Sequence, residues 1–174
     1  MNNVDKSEGV IKTNPEIHGD SRGKLAELQT DRIGYNCNFR PVQQVISVSS
    51  KGVLRGMHYH KNFQQNQLLT IIEGEIVDIV LDLRKESKTF GKHVKFLLSS
   101  ENFDQVFMPK GTAHGFYALS DTVKLIYHVD QLYNHAMEAG INCLDKSLLI
   151  NWPKDDYIIS ERDKNFPNFR DVIL

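Results

Sequence analysis

Cysteine is nearly absent. Among 174 residues only Cys37 and Cys143 occur, far apart and without a CxxC spacing, which excludes a disulfide framework and a thiolate zinc site and points to a reducing compartment, the cytosol. An excess of one charge is also missing. Lysine and arginine number 21 against 22 acidic residues, so no net field advertises a nucleic-acid or membrane partner. No apolar run approaches the length of a membrane span, and the N-terminal MNNVDKSEGVIKTN is too polar for a signal peptide. The chain carries no internal repeat, low-complexity tract or interdomain linker, so residues 1–174 are expected to form one domain, long enough to bury a core unaided.

Helical periodicity is scarce in the middle of the chain. In its place stand short segments rich in β-branched, aliphatic and aromatic residues, separated by Gly, Asn, Ser and Pro: QVISVS (44–49), QLLTIIEG (67–74), EIVDIVLDL (75–83), HVKFLLS (93–99), QVFMP (105–109), GFYAL (115–119) and VKLIYHV (123–129). Seven strands in about ninety residues is the density of an all-β sandwich or barrel. In EIVDIVLDL the odd positions Val77, Ile79, Leu81 and Leu83 are apolar, and so are Ile76 and Val80, so both faces of that strand are expected to be covered. After NWP the tail reads as turns with at most one short helix.

Against that background GVLRGMHYH (52–60) sets His58 and His60 on one side of any strand they share, and the loop PKGTAH (109–114) offers His114. This resembles the two motifs of the cupin superfamily, small jelly-roll (double-stranded β-helix) domains that gather a histidine pair from one strand and a third histidine from a PxGxxH turn. Metal-binding cupins usually add a glutamate where this chain has Gln67. Three imidazoles can hold zinc or iron with open positions, and a metal-free site can use the same interior; the missing glutamate favours no metal.

A narrower resemblance spans residues 10–167. GDSRGKLAE, GVLRGMHY, EGEIVDIVLDLRKESKTFGK, PKGTAHGFYALSDT, INWP and ISERDKNFP, in that order, are similar to the nucleotide-sugar 3,5-epimerases typified by dTDP-4-dehydrorhamnose 3,5-epimerase. The resemblance implies an all-β cupin jelly roll with short peripheral helices. It also implies a homodimer with strand exchange, no cofactor, and a dTDP-linked 4-keto-6-deoxyhexose as substrate in deoxysugar and surface-polysaccharide synthesis. By the same resemblance His58 is the base, Asp163 of SERD the carboxylate that orients it, and Tyr127 the opposing acid. Arg55 meets the diphosphate, Arg22 and Glu27 reach a neighbouring subunit's nucleotide site, Gln43 and Tyr133 contact nucleotide and sugar, and His114 fixes the hexose or the enolate.

Strict strand alternation puts Arg55 and His58 on opposite faces, so their joint role requires a bend or bulge at Gly56. Three positions depart from the family pattern: Gln67 stands where a lysine assists the enolate, Val45 where an asparagine is expected, and His18 where an aromatic is expected. They leave open which NDP-4-keto sugar is used and whether C3, C5 or both invert. Three rival readings stand beside this one. HYHKNFQQ resembles the HxHK element of sugar 3,4-ketoisomerases, which gives His60 a substrate role; a metal-dependent cupin and a noncatalytic sugar-nucleotide binder are the others.

Overall fold

A computed structural model describes residues 9–28, 39–63, 65–154 and 156–173. Cys37 lies outside the described residues, and Cys143 is buried with a free thiol. Twelve strands alternate along the described chain: β1 (Ile11–Thr13), β2 (Glu16–Asp20), β3 (Gly23–Glu27), β4 (Gln43–Ser50), β5 (Leu54–His60), β6 (Gln67–Glu73), β7 (Glu75–Asp82), β8 (His93–Ser99), β9 (Gln105–Met108), β10 (Thr112–Ala118), β11 (Thr122–Val129) and β12 (Glu138–Gly140). Two short helices follow, α1 (Glu161–Lys164) and α2 (Phe169–Ile173). Ten strands form two five-stranded antiparallel sheets, ordered β1-β9-β6-β11-β4 and β12-β5-β10-β7-β8, while β2 and β3 make a separate hairpin. From β4 to β12 each strand crosses to the other sheet except at the β7–β8 hairpin, giving the jelly roll of the cupins.

Period-two alternation decides which side chains meet between the sheets. From β7 the even positions Ile76 and Val80 join Leu69, Ile71, Val106, Phe116, Val123 and Leu125 in the inner core. The odd positions Val77, Ile79 and Leu81 face outward and are covered by Ile141, Cys143, Leu148 and Trp152 from the C-terminal region. Each such fully buried aliphatic side chain contributes about 1.5–3 kcal/mol, so β7, covered on both faces, anchors the fold. Two of its three carboxylates share the even-numbered face with Ile76 and Val80: Asp78 and Asp82 are both fully buried, while Glu75 is exposed.

Three features differ from the sequence expectation. Strand β10 starts at Thr112, so His114 sits within a strand rather than in the preceding loop. The tail folds into two short helices, the first started by Ser160, whose side chain accepts a hydrogen bond from the Asp163 backbone. Strands β2 and β3 arise from a segment with almost no apolar alternation; all five residues of β2 are exposed.

Candidate active site

Strands of both sheets line a cavity of about 250 Å³. Seven of the expected residues line it: Arg55, His58 and His60 from β5, Gln67 from β6, His114 from β10, Tyr127 from β11, and Tyr133 from the segment after β11.

A bulge brings Arg55 and His58 to the same side. Opposite β10, His58 pairs with His114 but Arg55 pairs with Phe116, so three steps on β5 answer two on β10. Leu54 and Met57 then face the outer core while Arg55 and His58 face the cavity. Glycine is required at the crossing. Gly56 has φ +119°, and a Cβ there would stand 2.6 Å from Gly115 Cα and 2.8 Å from the His114 carbonyl oxygen.

His58 Nε2 lies 3.0 Å from Asp163 Oδ1, and Asp163 Oδ2 accepts the Gly56 backbone N–H at 3.0 Å. Buried Asp163 thus ties α1 to the bulge and the imidazole at once. Burial alone would raise its carboxyl, but the hydrogen bonds from His58 and Gly56 and the His58 charge outweigh it and hold it below the ordinary carboxylate range. An ionised Asp163 accepts only, so Nε2 carries the hydrogen and the neutral ring keeps its lone pair on Nδ1. Below the ring Phe166 packs edge-on at 5.6 Å. Gly140 makes room for it, since a Cβ there would overlap the Phe166 ring at 2.1 Å.

Tyr127 comes from the other sheet. It packs against the inner core that holds Val123 and Leu125, as its alternation predicts, with its ring 5.8 Å from that of His114. Burial first, then the Asp78 charge, push its phenol well above the ordinary tyrosine value, with Arg55 opposing. The hydroxyl is therefore held as a neutral donor. Arg55 donates through Nε to Ser49 Oγ at 3.0 Å, which steadies its guanidinium along the cavity wall.

Two carboxylates escaped the sequence reading. Asp78 Oδ1 takes a hydrogen bond from His114 Nε2 at 2.5 Å; an aspartate in the middle of a run buried on both faces is the available signal. Glu138 on β12 faces His58 Nδ1 with Oε1 at 3.9 Å. Its Oε2 accepts from the Tyr133 hydroxyl and from Arg162, each at 2.9 Å. Nothing in the three-residue strand EAG marks it in advance.

The remaining expected residues stand behind or apart. Gln43 does not line the cavity, but its Oε1 accepts the Tyr133 backbone N–H at 2.6 Å. Gln67, on the cavity wall itself, donates to Gln65 Oε1 at 3.0 Å. Arg22, paired with Asp20, and Glu27 lie on the exposed β2–β3 hairpin, away from this cavity. The cavity histidines turn to separate partners: His58 to Asp163, His114 to Asp78, and His60 through Nδ1 to the Lys61 carbonyl at 3.1 Å. Among the described residues, the side chains that gather as a three-donor set are Glu16, His18 and Glu27 on that hairpin.

The chain is similar to known proteins over nearly its full length. It is 40% identical to dTDP-4-dehydrorhamnose 3,5-epimerase of Methanothermobacter thermautotrophicus, covering 94% of this chain and 91% of that one. It superposes with a TM-score of 0.90 on the dTDP-6-deoxy-D-glucose-3,5-epimerase of Legionella pneumophila in complex with dTDP-4-keto-L-rhamnose, at 36% identity, covering 96% of this chain and 91% of that one. A 3'-monoepimerase from Streptomyces bikiniensis in complex with dTDP-quinovose gives 0.89 at 31% identity, covering 95% and 86%. Residues 5–171 match the family described as dTDP-4-dehydrorhamnose 3,5-epimerase, and the chain belongs to that family.

Proposed function

We propose that this protein is an isomerase that epimerises a dTDP-linked 4-keto-6-deoxyhexose at C3, C5 or both, within a single cupin domain. One observation carries the reading: a histidine held by a carboxylate on one sheet and a protonated tyrosine on the other face the same cavity. Inversion beside a ketone needs that pair. The C4 carbonyl makes the neighbouring C–H acidic, His58 Nδ1 takes the proton, the electron pair moves to the carbonyl oxygen as an enolate, and Tyr127 returns a proton to the opposite face.

The remaining groups have matching tasks. Arg55 presents directed donors suited to a diphosphate. His114, anchored on Asp78, and Gln67 are placed to hold the hexose and the developing enolate; Gln67 gives a hydrogen bond but no positive charge. Three histidines committed to separate partners suit proton transfer better than shared metal ligation. The same fold hosts varied chemistries, so the assignment rests on these roles together with the family.

A second copy of the chain is part of the proposal. The outer face of edge strand β4 leaves Ile46 67% and Val48 57% exposed, and apolar surface of that kind favours burial against a partner. Arg22 and Glu27, remote from their own cavity, are then free to complete the partner's. Incubation of dTDP-4-keto-6-deoxyhexoses in deuterated water, followed by NMR, tests the reaction. Deuterium should enter C3, C5 or both with inversion at the exchanging carbon; relocation of the carbonyl, or exchange at neither carbon, would reject it.

A further inference from the structure

We infer that Glu138 is the route by which the proton taken up by His58 reaches solvent. The inference rests on His58 acting as the base. Among the described residues two carboxylates lie within ion-pair distance of that ring. Asp163 holds Nε2, but its side chain is only 6% exposed, and its other oxygen is committed to the Gly56 backbone. It orients the ring and leads nowhere.

Nδ1 is the nitrogen that must receive the substrate proton, and Glu138 Oε1 is 3.9 Å away. The far oxygen of Glu138 meets the Tyr133 hydroxyl and the Arg162 guanidinium, both on side chains open to solvent. Those two donors favour the ionised carboxylate, so a proton accepted at Oε1 is passed on quickly. In sequence, the C–H bond breaks, its electron pair enters the enolate, and the proton joins Nδ1. The imidazolium then gives it to Glu138, which releases it to water and leaves a neutral ring and a carboxylate. Burial raises the Glu138 carboxyl, but the Tyr133 and Arg162 hydrogen bonds and the His58 charge overcome this and keep it below the ordinary glutamate value. The carboxylate is therefore ready before each turnover.

The test compares two events in one sample. With unlabelled substrate in deuterated water, NMR follows deuterium entering recovered substrate and the epimer formed. In Glu138→Gln the abstracted proton stays on Nδ1 and returns to the carbon it left. The ratio of exchange to inversion should fall on the order of tenfold, and Glu138→Asp should restore part of it. Because the ratio is read per inversion, a smaller folded fraction does not move it. An unchanged ratio, including a proportional loss of both events, overturns the inference. If Glu138→Gln is too slow to read, Glu138→Asp decides: a ratio below wild type supports the route and a wild-type ratio rejects it. A wild-type enzyme that neither exchanges nor inverts would instead reject the epimerase reading itself.

Discussion

At the scale of single residues, the proposed roles separate removing a proton, at His58, from returning it, at Tyr127. His58→Asn keeps a polar side chain but loses the basic nitrogen. Exchange and inversion should both fall by roughly 10²–10⁴, with nucleoside diphosphate binding, measured by calorimetry, close to wild type. Tyr127→Phe preserves the ring that packs on the inner core and removes only the donor. Its enolate still forms, so deuterium should enter recovered substrate faster than epimer appears; equal losses would assign Tyr127 to the enolate or to packing. The place of Tyr127 in the cavity was legible because motif and alternation agree on it, and that of His58 from the motif, with a bulge reconciling it with Arg55. Glu138 and Asp78 were not. One stands in a strand too short to show a period, and the other is a charge inside a run whose hydrophobicity argues only for burial.

At the scale of elements, the fold's accuracy rests on strand crossings and turns. Strand β11 could be read because burial on one face imposes period two on its start, and β7 because a short apolar run covered on both faces stands out between turn residues. The β2–β3 hairpin could not, since nothing it buries constrains its pattern within this chain. Gly56→Ala places a methyl group into the β10 backbone at a positive φ, so it should cost more than about 1 kcal/mol in chemical denaturation and lower activity further by moving His58. The turn after β7 hangs on Asp82, which receives hydrogen bonds from Arg84, Ser87 and Thr89. Burial opposes its charge, but those bonds win and lower its carboxyl to about 2. A depressed carboxyl contributes stability that is present above the unfolded value near 4 and lost as pH falls through about 2. Asp82→Asn should therefore cost about 2.5 kcal/mol at neutral pH. The gap between variant and wild-type denaturation curves should close between about pH 4 and pH 2; a gap unchanged across that range would mean that packing, and not the charge, holds the turn.

At the scale of the whole molecule, one chain gathers the proposed proton-transfer groups at a cavity that Arg22 and Glu27, two of its expected nucleotide contacts, do not line. Arg22 and Glu27 ride on a hairpin that follows edge strand β1 and leaves Leu25 61% exposed, while β4, at the other edge of that sheet, presents an apolar outer face. If a second copy covers those surfaces in a symmetric dimer, each cavity takes His58 from its own chain and Arg22 from the other. The consequence can be measured by mixing two crippled proteins. His58→Asn lacks the base in both sites, and Arg22→Ala lacks the nucleotide contact in both. After subunits exchange, every mixed dimer has one site carrying both defects and one carrying neither. With equal amounts, half of the dimers are mixed and half of their sites are intact, so activity should return to about a quarter of wild type. Were His58 and Arg22 to serve the same cavity from one chain, mixing would create no intact site, and activity would stay at the mean of the two variants. Ile46→Asp, which places a charge on the exposed face of β4, should lower the mass seen by light scattering to that of one chain. It should also abolish the recovery in the mixing experiment, because no hairpin would then reach a partner's cavity.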